Sequence, residues 1–234
     1  MRAGVRPSGI RSFVADLEDR PLGPVHEVSF EVHGVAAQIL VVRGSPELLD
    51  DGRARAAELL DLWRGPASEL LDPGEDRATY VSVETLLLAD LARSAHEDEP
   101  SDLDRASRDP GPSRTFAGAG PSVELPGGAR GLLATLDTAL TADLVAHDLV
   151  DSGALGVCVR IGGDARMLGI PPRYAGWRVG VSGDPTGDEH VLVAEGGMAT
   201  RGTGPSRTTA RAPSAWQAAL RAERASRTVP VIVG

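Results

Sequence analysis

The chain is 234 residues long, enough for one substantial core or at most two small ones. Aromatics are only 3%, so that core must be Leu, Val, Ala and Ile, and the single cysteine, Cys158, excludes an internal disulfide or a cysteine-based metal cluster. The net charge is -9, and all 24 Lys+Arg residues are arginine, which argues against a nucleic-acid surface because phosphate contacts need clustered cations.

Residues 1–25 are rich in Pro and charge and read as a flexible lead. They hold no apolar core of signal-peptide length, and no run in the chain approaches a membrane span, so a cytoplasmic protein is expected. From Val28 to Val42 the sequence alternates like a half-buried strand around Gly34. Helix spacing follows from Pro46 to Trp63 and again from about Ser82 to Ala95. Residues 96–131 form a linker rich in Asp, Ser, Pro and Gly, whose length inside one domain marks lost structure or a lid. No internal repeat of fixed period is present.

The most informative block runs from Leu140 to Thr200. Apolar residues at 140, 144, 145 and 149 predict an amphipathic helix with Asp143 and His147 one turn apart, and Ser152-Gly153 ends it. Leu155 to Ile161 is an apolar run short enough for a buried strand. At its end stand Gly162-Gly163-Asp164, where absent Cβ atoms let a ligand approach the backbone and the carboxylate accepts from hydroxyls. A Gly176-Trp177-Arg178-Val179-Gly180-Val181 strand and Gly196-Gly197-Met198-Ala199-Thr200 complete the block.

Leu140-x-x-Asp143, Val157 to Asp164, Gly176 to Val181, Asp184-Pro185 and Ala199-Thr200 resemble, in order, the central block of the ApbE family. The resemblance implies an α+β fold with a mixed or antiparallel sheet flanked by helices, spanning 26–204. It also implies the activity of an FAD:protein FMN transferase. These are magnesium-dependent enzymes that cleave FAD and attach FMN to a Ser or Thr of a partner flavoprotein while AMP leaves. By the same resemblance Asp143, Gly162, Gly163, Asp164 and Thr200 line the FAD site. Thr138 stands where the family carries a lysine, and Asp137 where a backbone carbonyl ligates the metal.

Several family features are altered. Val35 replaces a Thr after Gly34. Ser68-Glu69-Leu70 matches a family segment, but Arg64-Gly65-Pro66 reduces the Ser-Arg-Phe before it, and Asp72 stands for an Asn. His96-Glu97-Asp98-Glu99-Pro100-Ser101 replaces an Asp-Pro-Thr loop. The Thr138 hydroxyl donates one hydrogen bond but neutralises nothing. After Thr200 the pattern stops, which implies a copy truncated at the C-terminus, with FMN transfer impaired and magnesium retention in doubt. The alternative is a non-catalytic flavin-nucleotide-binding or interaction module, or a non-functional copy.

Each residue also has a plainer reading. Asp143 and His147 suit the polar face of an exposed helix, Gly162-Gly163 a turn between strands with Asp164 bonding a nearby amide, and Trp177 a packing position. Cys158, among apolar neighbours, reads as a small hydrophobe. Residues 205–234 read as a disordered or loosely packed tail. The apolar positions 215, 216, 219 and 220 make only a narrow stripe, and isolated helices of that length are marginal in water. Val229 to Val233 suits an edge strand.

Overall fold

Two short antiparallel strands, β1 (Val25–Val32) and β2 (Val35–Val42), replace the single long strand that the alternation around Gly34 suggested. The turn is His33-Gly34, with φ of 49° and 72°. Two successive positive φ values match the right-handed twist of the flanking strands, so the chain reverses where its periodicity runs on unbroken. The computed structural model describes residues 21–64, 82–97, 129–180, 190–202 and 207–228.

Helix α1 (Glu47–Arg64) buries Leu48, Gly52, Ala56, Leu59, Leu60 and Trp63, one stripe at helical spacing. Helix α2 (Val83–Glu97) and the long α3 (Ala129–Asp151) follow. The expected linker, 96–131, thus overlaps α2 at its first two residues and α3 at its last three, and 98–128 lie outside the described residues. Gly153, at φ 107°, ends α3 as its position predicted. Next come β3 (Gly156–Ile161), β4 (Asp164–Gly169), β5 (Trp177–Gly180), β6 (His190–Val193), β7 (Gly196–Arg201), β8 (Thr208–Ala212) and α4 (Ala215–Thr228).

Six strands form one antiparallel sheet in the order β1-β2-β3-β4-β7-β8, and β5 pairs with β6 separately. This is the expected α+β class. Period-two alternation gives the sheet two apolar faces. Ile39, Val41, Val157, Val159 and Ile161 pack against α1 and α3, while Ala165, Met167 and Met198 pack with Trp177, Val179 and Val193 of the smaller sheet. Helix α3 is the hub, touching α1, α2, α4, β3 and β4. Arg55 ties three helices together through Glu58, Glu84 and Asp148. Among the described residues no helix is long and apolar enough to cross a membrane.

Residues 207–228, the described part of the segment expected to be a loose tail, are part of this core. Strand β8 pairs with β7 from Thr208 to Ala212, and α4 buries Ala215, Ala218, Ala219 and Ala222 completely. The narrow stripe misled because these buried side chains are small: an alanine face brings the helix backbone close to the sheet without large apolar residues to announce it. Gly197 has the same role, since a Cβ there would lie 2.1 Å from the Ser214 carbonyl carbon. The expected flexible lead is also tethered at its end, where the Leu22 amide donates to the Pro172 carbonyl at 3.0 Å. The candidate edge strand Val229 to Val233, the Ser68-Glu69-Leu70 segment and Asp72 lie outside the described residues.

Packing of this kind makes residues 207–228 indispensable. Removing them should abolish cooperative thermal unfolding, and trypsin should cut the intact protein at Arg211, Arg221 and Arg224 only as fast as it unfolds. Circular dichroism melting and timed proteolysis check both. An unchanged melting temperature after the deletion would contradict this packing.

Candidate functional site

The polar residues of α3 that face the sheet meet β4 in register. Thr138 and Asp143 are five residues apart on the helix, about 7.5 Å of rise, and Asp164 and Arg166 are two apart on the strand, about 6.7 Å. The near match lets Thr138 meet Asp164 while Asp143 meets Arg166.

At the first contact Thr138 Oγ1 donates to Asp164 Oδ2 at 2.6 Å. Arg201, the last residue of β7, donates from Nη1 to Asp164 Oδ1 at 2.7 Å and from Nη2 to Oδ2 at 3.1 Å. The same guanidinium holds the carbonyls of Thr200 at 3.1 Å and Thr135 at 3.0 Å. At the residue before Thr138, Arg64, from the end of α1, forms a fork on Asp137 through Nε and Nη2, the latter at 2.8 Å from Oδ1. The carboxylates are almost fully buried, with side chains 5% exposed at Asp137 and 2% at Asp164; the guanidiniums reach outward, 29% exposed at Arg64 and 17% at Arg201. Burial pushes the Asp164 carboxyl above its ordinary range, against the pull of Arg201 and Thr138, and the Asp137 charge adds to the upward push. The hydrogen bonds from Arg64 to Asp137 raise the Arg64 pKa further, against the cost of its own burial.

At the second contact Asp143 is buried, and it accepts the amides of Ala215 at 3.0 Å and Trp216 at 2.9 Å. Ser214 Oγ takes the Gln217 amide and the Ser214 carbonyl accepts the first helical bond, from Ala218, so the amides of the first three residues of α4 are all satisfied. Arg166 Nε lies 3.4 Å from Asp143 Oδ1, and Arg166 Nη1 donates to the Pro213 carbonyl.

No protein-family model matches this chain, and no curated protein matches it by sequence. Solved structures do match. A point mutant of the flavin transferase ApbE of Vibrio cholerae superposes with a TM-score of 0.61 at 19% identity, over 86% of each chain. The ApbE protein of Thermotoga maritima gives 0.61 at 16%, over 87% of this chain and 86% of that one. The apo flavinyl transferase ApbE of Pseudomonas stutzeri gives 0.57 at 16%, over 84% and 82%.

The chain has the ApbE fold. On that fold the structure brings Thr138, Asp164 and Thr200 together through Arg201, and places Asp137 beside them through Arg64. Gly162 and Gly163 adjoin this cluster as the β3–β4 turn. Gly162 has φ 58°, and a Cβ on Gly163 would stand 2.5 Å from the Thr200 carbonyl oxygen. Close backbone approach does require glycine there, but the approaching group is β7, whose Thr200 amide donates to the Gly163 carbonyl at 2.9 Å. Asp143 does not join this cluster. Its carboxylate is committed to α4, and neither the exposed-helix nor the ligand reading describes it. His147 bonds the Asp143 carbonyl within its own helix at 2.8 Å. Trp177 is a buried packing residue, and burial pushes the Cys158 thiol up to about 12, leaving it neutral.

The missed residues are Arg64, Arg166 and Arg201. The absent lysine was the available signal, since buried carboxylates need some other cation, but which arginine arrives depends on tertiary structure. The arginines also decide against magnesium, which takes free oxygen ligands in an octahedral shell. Both cluster carboxylates are already bonded to guanidiniums. The Asp137 carbonyl, proposed as a ligand, lies inside α3 and accepts the Thr141 hydroxyl at 2.7 Å. Among the described residues no three His, Cys, Asp or Glu side chains form a metal-binding group. These residues do not fit the ion.

Asp143→Ala should destabilise the protein by about 3–5 kcal/mol, because it leaves Arg166 buried without its carboxylate and removes two amide acceptors. Burial raises the folded pKa of Asp143 against the pull of the two amides, so below about pH 4 its contribution to stability is complete, and it declines as pH rises through the folded value. The melting-temperature difference between wild type and Asp143→Asn should therefore shrink with rising pH across that window. A difference that grows would show that the amides and Arg166 outweigh burial.

Proposed function

We propose that this chain is a flavin-nucleotide-binding protein on the ApbE fold in which FAD:protein FMN transfer is lost or severely reduced. The observation that carries the reading is the pair of ion pairs, Arg64 with Asp137 and Arg201 with Asp164, in the cluster where the sequence resemblance places the flavin site. The named relatives of this fold are flavin transferases, which supports FAD as the ligand. Thr138, Asp164, Thr200 and the Gly162-Gly163 turn are the nearest groups to it, with Asp137 alongside. In this reading Asp164 positions Arg201 and Thr138 for the nucleotide, because both carboxylate oxygens already accept bonds from them.

Transfer needs the pyrophosphate polarised so that an acceptor hydroxyl attacks the phosphate on the FMN side. Magnesium supplies that polarisation in the enzymes this chain resembles. Here two guanidiniums face two carboxylates, and the cluster has no net positive charge to stabilise the charge that develops on the phosphate. Arginine holds a proton too tightly to act as a general base toward an acceptor hydroxyl. Among the described residues, this cluster has groups to bind and position a nucleotide but none to drive its cleavage.

The test mixes the protein with FAD, magnesium and an acceptor flavoprotein domain. Flavin fluorescence should show saturable quenching at micromolar FAD, while a denaturing gel shows no ultraviolet-fluorescent acceptor. Restoring the family lysine alone, Thr138→Lys, should recover little, since parts of one catalytic unit do not act additively. Strong magnesium-dependent labelling by the wild type would refute the loss of transfer, and absent quenching would refute the flavin assignment.

A further inference from the structure

Resting on the flavin reading above, we propose that this site binds FAD without a divalent cation, with Arg64 as the side chain that takes the pyrophosphate.

Of the two guanidiniums in the cluster, Arg201 has both terminal nitrogens bonded within the fold. Its two terminal nitrogens serve both oxygens of Asp164 and the carbonyls of Thr135 and Thr200, which makes it the anchor between α3, β4 and β7. Arg64 is different. Nε and Nη2 bind Asp137, whereas Nη1 has no hydrogen bond among the described residues, and the side chain is 29% exposed. It is close enough to Asp164 to feel that charge as well. A guanidinium forked onto a carboxylate on one side and open on the other can donate to a phosphate oxygen without surrendering its buried partner.

A magnesium ion has no such route. It would have to strip Arg64 from Asp137 or Arg201 from Asp164, leaving a partly buried guanidinium unpaired, before gaining a single carboxylate oxygen. The fixed charge of an arginine is present at every accessible pH and needs no ion from solution. Arg201 acts as a positioning residue and Arg64 as the direct contact.

The protein is titrated with FAD by fluorescence quenching, once in excess EDTA and once in millimolar magnesium. The expected Kd values agree within about twofold. Arg64→Gln should weaken binding about tenfold in both buffers, and Arg64→Lys, which keeps the charge but not the fork, should fall between. Melting temperatures establish that each variant is folded. If Arg64→Gln does not fold, the EDTA comparison and Arg64→Lys decide the matter. Binding lost in EDTA, or a folded Arg64→Gln with wild-type affinity, overturns the proposal while leaving FAD as the ligand. Absent quenching in both buffers removes the flavin reading and this proposal with it.

Discussion

Burying a carboxylate in an aliphatic core costs several kcal/mol unless a cation or several N–H groups meet it, and this protein buries three of them along one helix. Asp137 and Asp143 lie on α3, and Asp164 faces it from β4. Each is met by an arginine from a different element: Arg64 from the end of α1, Arg166 from β4 and Arg201 from the end of β7. Because a charge left unpaired there is so costly, these three meetings fix how α1, β7 and α4 dock on α3. The apolar contacts around them are mostly Ala, Val and Leu, which fill space without specifying orientation. The ion pairs supply it.

The same pairs restrict what the site does. A cluster of free carboxylates draws in a divalent cation, whereas carboxylates already bonded to guanidiniums behave as neutral polar surface. Structure and chemistry thus trade against each other at Asp137 and Asp164, and here structure has taken both. The C-terminal elements show the converse. β8 and α4 carry none of the family residues expected after Thr200, yet β8 completes the sheet and α4 is capped by Asp143, so the loss of motif there is not a loss of fold.

Much of the fold was legible because it follows from local periodicity. The helices from Glu47 and Val83 and the β3 strand rest on apolar spacing within a short window, the end of α3 on Ser152-Gly153, and the α+β class on the family resemblance. The His33-Gly34 reversal was not, since alternation continues on both sides of it and only the φ values reveal the turn. Helix α4 was hidden for another reason: its buried face is alanine, and its N-terminus is capped by Asp143, 72 residues upstream. The site divides the same way. Thr138, Asp164 and Thr200 were readable from motif order and do converge. Arg64 and Arg201 were not, because their partners lie 73 and 37 residues away and no local pattern links them.

The account depends on the arginine pairs being energetically coupled to the carboxylates they touch. A double-mutant cycle with Arg201→Gln and Asp164→Asn, read by urea unfolding at neutral pH, measures this directly. The prediction is a coupling above about 1 kcal/mol, with the second substitution costing much less once the first is made. Additive effects of the two substitutions would contradict it, and Asp164 would then have to be regarded as a carboxylate free for a ligand.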